Sequence, residues 1–136
     1  SVRGIAYPPV SVEKSKRVNK AAVARGRYDG LCASVAELPF ESEQFDLVTA
    51  FETVYFWPDL PQCFCEVGRV LKSGGTFLIC NESNGDTDRD EKWTEIIGGM
   101  TIYKDTELKA YLEQAGFHEV QIHKKKSWLC VTARKR

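Results

Sequence analysis

Residues 34–82 read SVAELPFESEQFDLVTAFETVYFWPDLPQCFCEVGRVLKSGGTFLICNE. Residues 37–40 form a loop leaving a strand. Residues 45–51 are an apolar run bounded by polar loops, the pattern of a strand buried on both faces. Residues 61–72 read as a helix, with Pro61 in the first turn and Gly74-Gly75 just past the end. Residues 76–80 are a second buried strand. Strand, crossover helix and strand make a βαβ unit with parallel strands.

Outward from this unit the pattern continues. Residues 1–7, SVRGIAY, read as a short strand stopped by Pro8-Pro9. Ser11 is placed to cap a helix running to about Arg25, with Gly26 as its stop signal. Residues 28–35 are a further strand. On the other side, Asn81-Glu82 end the second buried strand at its carboxyl edge, where both can reach a substrate, and residues 84–92 form a polar loop. Its Asp86, Asp88 and Asp90 have an alternating spacing, but the glycine and closing glutamate of a calcium-binding EF-hand are misplaced. Residues 91–100 read as a short helix carrying Trp93, Ile96 and Ile97. Asp105-Thr106 cap a helix over 107–115 that Gly116 ends. Strands follow at 120–123 and 128–133, the last antiparallel to its neighbours.

The 136 residues suit a single domain over 1–136. Formal net charge is zero, and the basic ends, around 3–27 and 124–136, read as solvated faces and a basic tail, not a nucleic-acid surface. Five cysteines at positions 32, 63, 65, 80 and 130 fall inside elements, as buried reduced thiols of a cytoplasmic protein do. Cys63 and Cys65 point to different sides of a helix, so no metal site is expected. No apolar run is long enough to span a bilayer, so no membrane partner is expected.

The segment ELPFESEQFDLVTAF followed by EVGRVLKSGGTFLI resembles the class I methyltransferases that use S-adenosylmethionine, and within them the type 11 methyltransferase domain. Ser73 stands where that family usually has proline. The resemblance implies a three-layer, Rossmann-like α/β fold with a mostly parallel sheet, an antiparallel last strand and strand order 3-2-1-4-5-7-6. It also implies S-adenosylmethionine as cofactor and a small-molecule methyl acceptor. The family's first strand and glycine-rich turn have no counterpart before Ser1. The strands of Ile5 and Leu47 would then close on each other, or pair with a second copy by strand exchange, or the chain is a fragment.

Site residues follow from the same resemblance. The strand of Ile5 normally ends in a carboxylate that accepts hydrogen bonds from the cofactor's ribose, and Ala6 holds that place. Tyr7 is its nearest substitute. Ser34, Val35 and Ala36 occupy the adenine-side positions, and Ala50 and Phe51 the end of the central strand. On the acceptor side stand Glu52, Tyr55, Trp57, Glu82, Trp93 and Tyr103, with Met100 beside them. Aromatic faces suit a sulfonium, and they equally suit packing beneath the following helix. Glu52 is a candidate base or a helix-start charge. No catalytic residue is singled out, because alignment and desolvation can carry methyl transfer without one. The expected function is methyl transfer to a small molecule with impaired cofactor binding. The alternative is a degenerate, non-catalytic interaction module, dimeric through its strand edges.

Overall fold

A computed structural model describes residues 1–86 and 88–136, without the side chains of Asp88, Arg89 and Glu91. Residue 87 of the expected 84–92 loop lies outside the described residues. The chain forms two compact units, Ser1–Pro39 and Phe40–Arg136.

The first unit is β1 (Val2–Ala6), α1 (Pro9–Val18), α2 (Lys20–Ala24) and β2 (Tyr28–Cys32). The two strands pair in parallel, Val2 opposite Tyr28 through Ala6 opposite Cys32. Gly4 leaves room for Tyr28, whose hydroxyl would meet any Cβ placed there. That hydroxyl hydrogen-bonds Ser15 of α1. Val12 and Gly30 are buried between helix and strands. Ser11 is not the cap expected of it. Pro8 is the N-cap residue and Pro9 sits at the first helical position, where a missing N–H costs nothing. The helix also breaks at Asn19, whose backbone leaves helical geometry (φ −103°, ψ 27°). The strand expected over 28–35 ends at Cys32.

The second unit carries β3 (Phe45–Phe51), a 3₁₀ turn (Val54–Phe56), α3 (Leu60–Val70), β4 (Leu71–Asn81), α4 (Asp88–Ile96), α5 (Asp105–Gln114), β5 (Phe117–Lys125) and β6 (Trp128–Lys135). Its sheet has the order β3-β4-β6-β5. β3 and β4 are parallel, and β6 is antiparallel to both β4 and β5. Taken one unit at a time, the pair β1-β2 matches the family's 2-3 pair and the four-stranded sheet matches its 4-5-7-6 run. Direct closure of the flanking strands, one of the three expected repairs, does not occur among the described residues: the strands form two separate sheets.

Helix α3 faces the sheet with Leu60, Cys63, Phe64, Val67 and Val70, spaced for one buried stripe. Asp59 caps it, accepting the Gln62 N–H at 3.5 Å. Phe64 meets Phe77 edge-on, 5.5 Å between ring centres, while Trp57 stacks on Phe77 at 6.2 Å. Leu108 and Leu112 of α5 and Leu129 and Val131 of β6 complete this core, each fully buried. Each such side chain contributes about 1.5–3 kcal/mol relative to exposure. Arg69 pairs with Glu66 at 2.7 Å and donates to the Phe40 carbonyl at 2.8 Å. The loop before β3 is thereby fixed to α3.

β3 departs from the expected two-sided burial. Ala50 is buried, but Leu47 and Phe51 are more than half exposed. Within its unit β3 is an edge strand, and an apolar run by itself does not reveal which layers cover it. α4 starts at Asp88 and ends at Ile96, earlier at both ends than the expected 91–100. α5 is capped one residue earlier than expected, by Lys104, whose N–H donates to the Glu107 carboxylate at 3.1 Å. Among the described residues, no helix is long and apolar enough to cross a membrane.

Candidate functional site

The carboxyl ends of β3 and β4 meet in a hydrogen-bonded cluster built from Glu52, Tyr55, Glu82 and Ser83. Strand β3 stops at Phe51 because Glu52 turns into the left-handed region, φ 57°, which disfavours residues with a Cβ. Its N–H still donates to the Cys80 carbonyl at 2.9 Å. The turn swings the Glu52 carboxylate across to β4, where Oε1 accepts the backbone N–H of Glu82.

The 3₁₀ turn brings Tyr55 against the same point. Its hydroxyl oxygen accepts the Ser83 N–H at 2.9 Å. Its single proton faces Glu52 Oε1 at 3.3 Å and the Ser83 carbonyl at 3.4 Å. Burial, and with it the neighbouring Glu52 charge, pushes the phenol up to about 12, against a lowering by the Ser83 N–H. Tyr55 therefore stays neutral across physiological pH. Glu52 is exposed and its Oε1 already has donors, so it is placed as a brace between strand ends more than as a free base.

Next to this cluster lies Asn81, the last residue of β4. It follows Phe77 and Ile79 on the buried face. Its side chain is fully buried, and neither amide atom has a hydrogen-bond partner. Leaving such a group unpaired costs about 1–3 kcal/mol. Asn81 is the buried polar group of this region whose placement the fold alone does not explain.

The rim is held from the loop side. Asn84 is buried, accepts the Asp86 N–H at 2.9 Å and donates to the Lys126 carbonyl at 3.3 Å. Asp90 accepts the Gly85 N–H at 2.7 Å. Lys124 of β5 bridges Asp86 at 2.9 Å and Asp105 at 3.1 Å, and its hydrogen bond holds the Asp105 carboxyl below its ordinary range. The Thr101 N–H donates to the Tyr55 carbonyl at 2.8 Å, so the segment after α4 is tied to the 3₁₀ turn.

Of the acceptor-side residues, Glu52, Tyr55 and Glu82 are thus brought together. Trp57 is engaged with Phe64 and Phe77 in the core. Tyr103 packs edge-on against Tyr111, 6.2 Å between rings, and burial raises its phenol. Trp93 is half exposed on α4, and Phe56, between the two packed aromatics, is half exposed as well. Of the residues expected near a cofactor, Ala50 is buried and Phe51 exposed on the opposite face. In the first unit, Tyr7 is largely exposed, and its carbonyl accepts the Cys32 thiol at 2.9 Å. The Ser34 hydroxyl accepts the Ala36 N–H at 3.2 Å, a local turn that Val35 bridges. Ser83 was not among the expected site residues, whereas Asn81 was expected, with Glu82, at the carboxyl edge within reach of a substrate. Asn81 carried a readable signal, a polar residue continuing the inward parity of Phe77 and Ile79.

Two open grooves of about 240 and 440 Å³ lie at the other end of the second unit's sheet. They run along Gly68, Phe117 and Lys135, and along Glu113, His118 and Arg136, and share no residue with the Glu52 cluster.

The profile of a methyltransferase-domain family, type 11, matches residues 2–79, from β1 to near the end of β4. The chain belongs to this family. The methyltransferase domain is 33% identical to cycloartenol-C-24-methyltransferase 1 of Oryza sativa subsp. japonica over 79 residues, 58% of this chain and 23% of that protein. It is 25% identical to 24-methylenesterol C-methyltransferase 3 of Arabidopsis thaliana over 131 residues, 88% of this chain and 36% of that protein. The domain thus spans well under half the length of these relatives. A SAM-dependent methyltransferase of Thermotoga maritima shares its fold at a TM-score of 0.76 and 21% identity, over 98% of this chain and 72% of that one. The [4+2]-cyclase SpnF does so at 0.78 and 16%, over 99% and 66%. At such identities the likeness concerns the fold alone, and a cyclase among the neighbours shows that fold does not dictate the reaction.

Proposed function

We propose that this domain takes part in S-adenosylmethionine-dependent methyl transfer to a small molecule, and that its second unit supplies the acceptor side. The carrying observation is the Glu52–Tyr55–Ser83 cluster at the carboxyl ends of β3 and β4, where open α/β sheets bind ligands, in a chain of a methyltransferase family. The cofactor supplies an electrophilic methyl group on sulfur. The chain's own residues hold the acceptor: Glu52, Tyr55 and Glu82 form a fixed polar wall, and Trp57, Trp93 and Tyr103 give apolar surface. The sterol and sarcosine methyltransferases among its relatives point to a small acceptor and leave its class open.

For the cofactor, the candidates of the first unit are Tyr7, Ser34, Val35 and Ala36, and those of the second unit, taken by itself, are Ala50 and Phe51. The fit there is incomplete, because β1 ends in Ala6, whose methyl group accepts no hydrogen bond from a ribose diol. Each absent bond to a charged acceptor is worth about 1.5–3 kcal/mol, tenfold or more in affinity. The expectation is weak binding of S-adenosylhomocysteine by this chain, restored at least tenfold by Ala6→Asp, both read by calorimetry. Equal affinity of the two proteins would remove Ala6 from the cofactor site.

The second reading, a non-catalytic module that dimerises through strand edges, is favoured by Ala6 and by the exposed Leu47 and Phe51 of β3. A stable dimer in light scattering, indifferent to S-adenosylhomocysteine, would support it over methyl transfer.

A further inference from the structure

One face of the four-stranded sheet carries a continuous row of side chains across all its strands. The register places Phe51 opposite Cys80, Cys80 opposite Cys130, and Cys130 opposite His123. Directly paired residues project to the same face. Phe51 and His123 are exposed, and Cys80 and Cys130 are half-buried between them.

The two cysteines are therefore cross-strand partners on antiparallel strands. Such partners have Cα atoms about 4.5 or about 5.5 Å apart, according to the hydrogen-bonding pattern. Both spacings lie within the range of about 4.4–6.8 Å that a disulfide spans. The Cys130 thiol opposite, and with it burial, pushes Cys80 up to about 11. The remaining cysteines have no such neighbour: Cys63 is buried and donates to the Pro58 carbonyl at 2.8 Å, while Cys32 and Cys65 are exposed on other elements.

We propose that Cys80 and Cys130 form a reversible cross-strand disulfide, a redox modification site adjoining the Glu52–Tyr55 cluster. The oxidant class is a low-molecular-weight disulfide. Cys130 loses its proton, and His123 across β5 is the nearest imidazole in the row to accept it. The Cys130 thiolate attacks one sulfur of the oxidant, forming a mixed disulfide and releasing one thiolate. Cys80, once deprotonated, attacks the Cys130 sulfur, forming the Cys80–Cys130 bond and releasing the second thiolate. The protein loses two hydrogens, and the oxidant becomes two thiols. Cys80 is the resolving partner, placed opposite Cys130 by the strand register.

The bond would lock β4 to β6 one residue before Asn81, so the site's floor is where oxidation is felt. The proposal does not depend on the methyl-transfer reading, and its test uses no activity. The native chain is equilibrated with oxidised glutathione, its free thiols are alkylated, and it is digested without reduction. The expected product is one peptide pair linked through Cys80 and Cys130, with that pair of thiols no longer alkylated. Cys80→Ser should instead trap glutathione on Cys130, and reductant should reverse both products. Recovery of Cys80 and Cys130 as free thiols or as separate glutathione adducts would overturn the proposal. So would a link that forms in urea and not in the native chain.

Discussion

The hydroxyl oxygen of Tyr55 accepts the backbone N–H of Ser83 at 2.9 Å, joining the turn after β3 to the residues just past β4. A side chain 3% exposed thus satisfies a backbone donor that the sheet no longer pairs. Tyr55→Phe keeps the ring and removes the acceptor. The expected loss is about 1–3 kcal/mol, the cost of an unsatisfied donor in a partly buried place. Urea denaturation of the two proteins measures it, and an unchanged midpoint would mean that water replaces the hydroxyl.

The same tyrosine makes a signed prediction about alkaline pH. Its phenol is raised from 10.0 to about 12, first by burial. A folded-state value above the unfolded one means the neutral phenol favours folding. That contribution is complete below about pH 10 and is lost as the pH rises toward 12. Cys63, raised to about 11 by burial, acts in the same direction. Stability should therefore fall over this window, and Tyr55→Phe should flatten the fall. A slope identical in both proteins would assign the loss to other groups.

Asn81→Leu separates stability from function. Leucine replaces two buried, unpartnered polar atoms with apolar surface. Thermal stability should rise by the equivalent of about 1–3 kcal/mol, while methylation of the acceptor should fall. A gain in stability with unaltered turnover would show that the amide serves no ligand.

Gly75→Ala tests the irregular first half of β4, where its register with β3 shifts. A Cβ there would lie 2.8 Å from the Lys72 carbonyl oxygen and 3.1 Å from that of Asp46, both backbone atoms with little freedom to move. Gly74 has φ 81° and open space around it, so its alanine variant costs only the left-handed conformation, about 1 kcal/mol. Gly75→Ala should be the more damaging of the two, by about 1–3 kcal/mol for forced overpacking. Paired melting curves decide the order.

Much of the second unit was legible because its signals are local. The inward stripe of α3, its Pro61 start and the glycines after it all lie within a few turns of chain. The family's own signature proves to be largely architectural: Glu66 holds Arg69, and Arg69 grips the Phe40 carbonyl, so the LPF loop and the EVGRVL helix recognise each other. What could not be read depends on register or on missing layers. The Cys80–Cys130 pairing exists only once β4 and β6 are aligned, and the Tyr55–Ser83 bond joins residues 28 apart in sequence. The exposure of Leu47 and Phe51 depends on what covers β3, which an apolar run does not report. Ser11 misled because Pro8 and Pro9 compete for the same helix start.

Strand β6 follows β5 in sequence, yet it lies between β4 and β5, not at an edge. β4 and β5 are joined only through it, so displacing this one strand opens a backbone edge on each of them at once. The four-stranded sheet therefore fails as a whole when β6 is lost, and the two bared edges become templates for pairing with another chain.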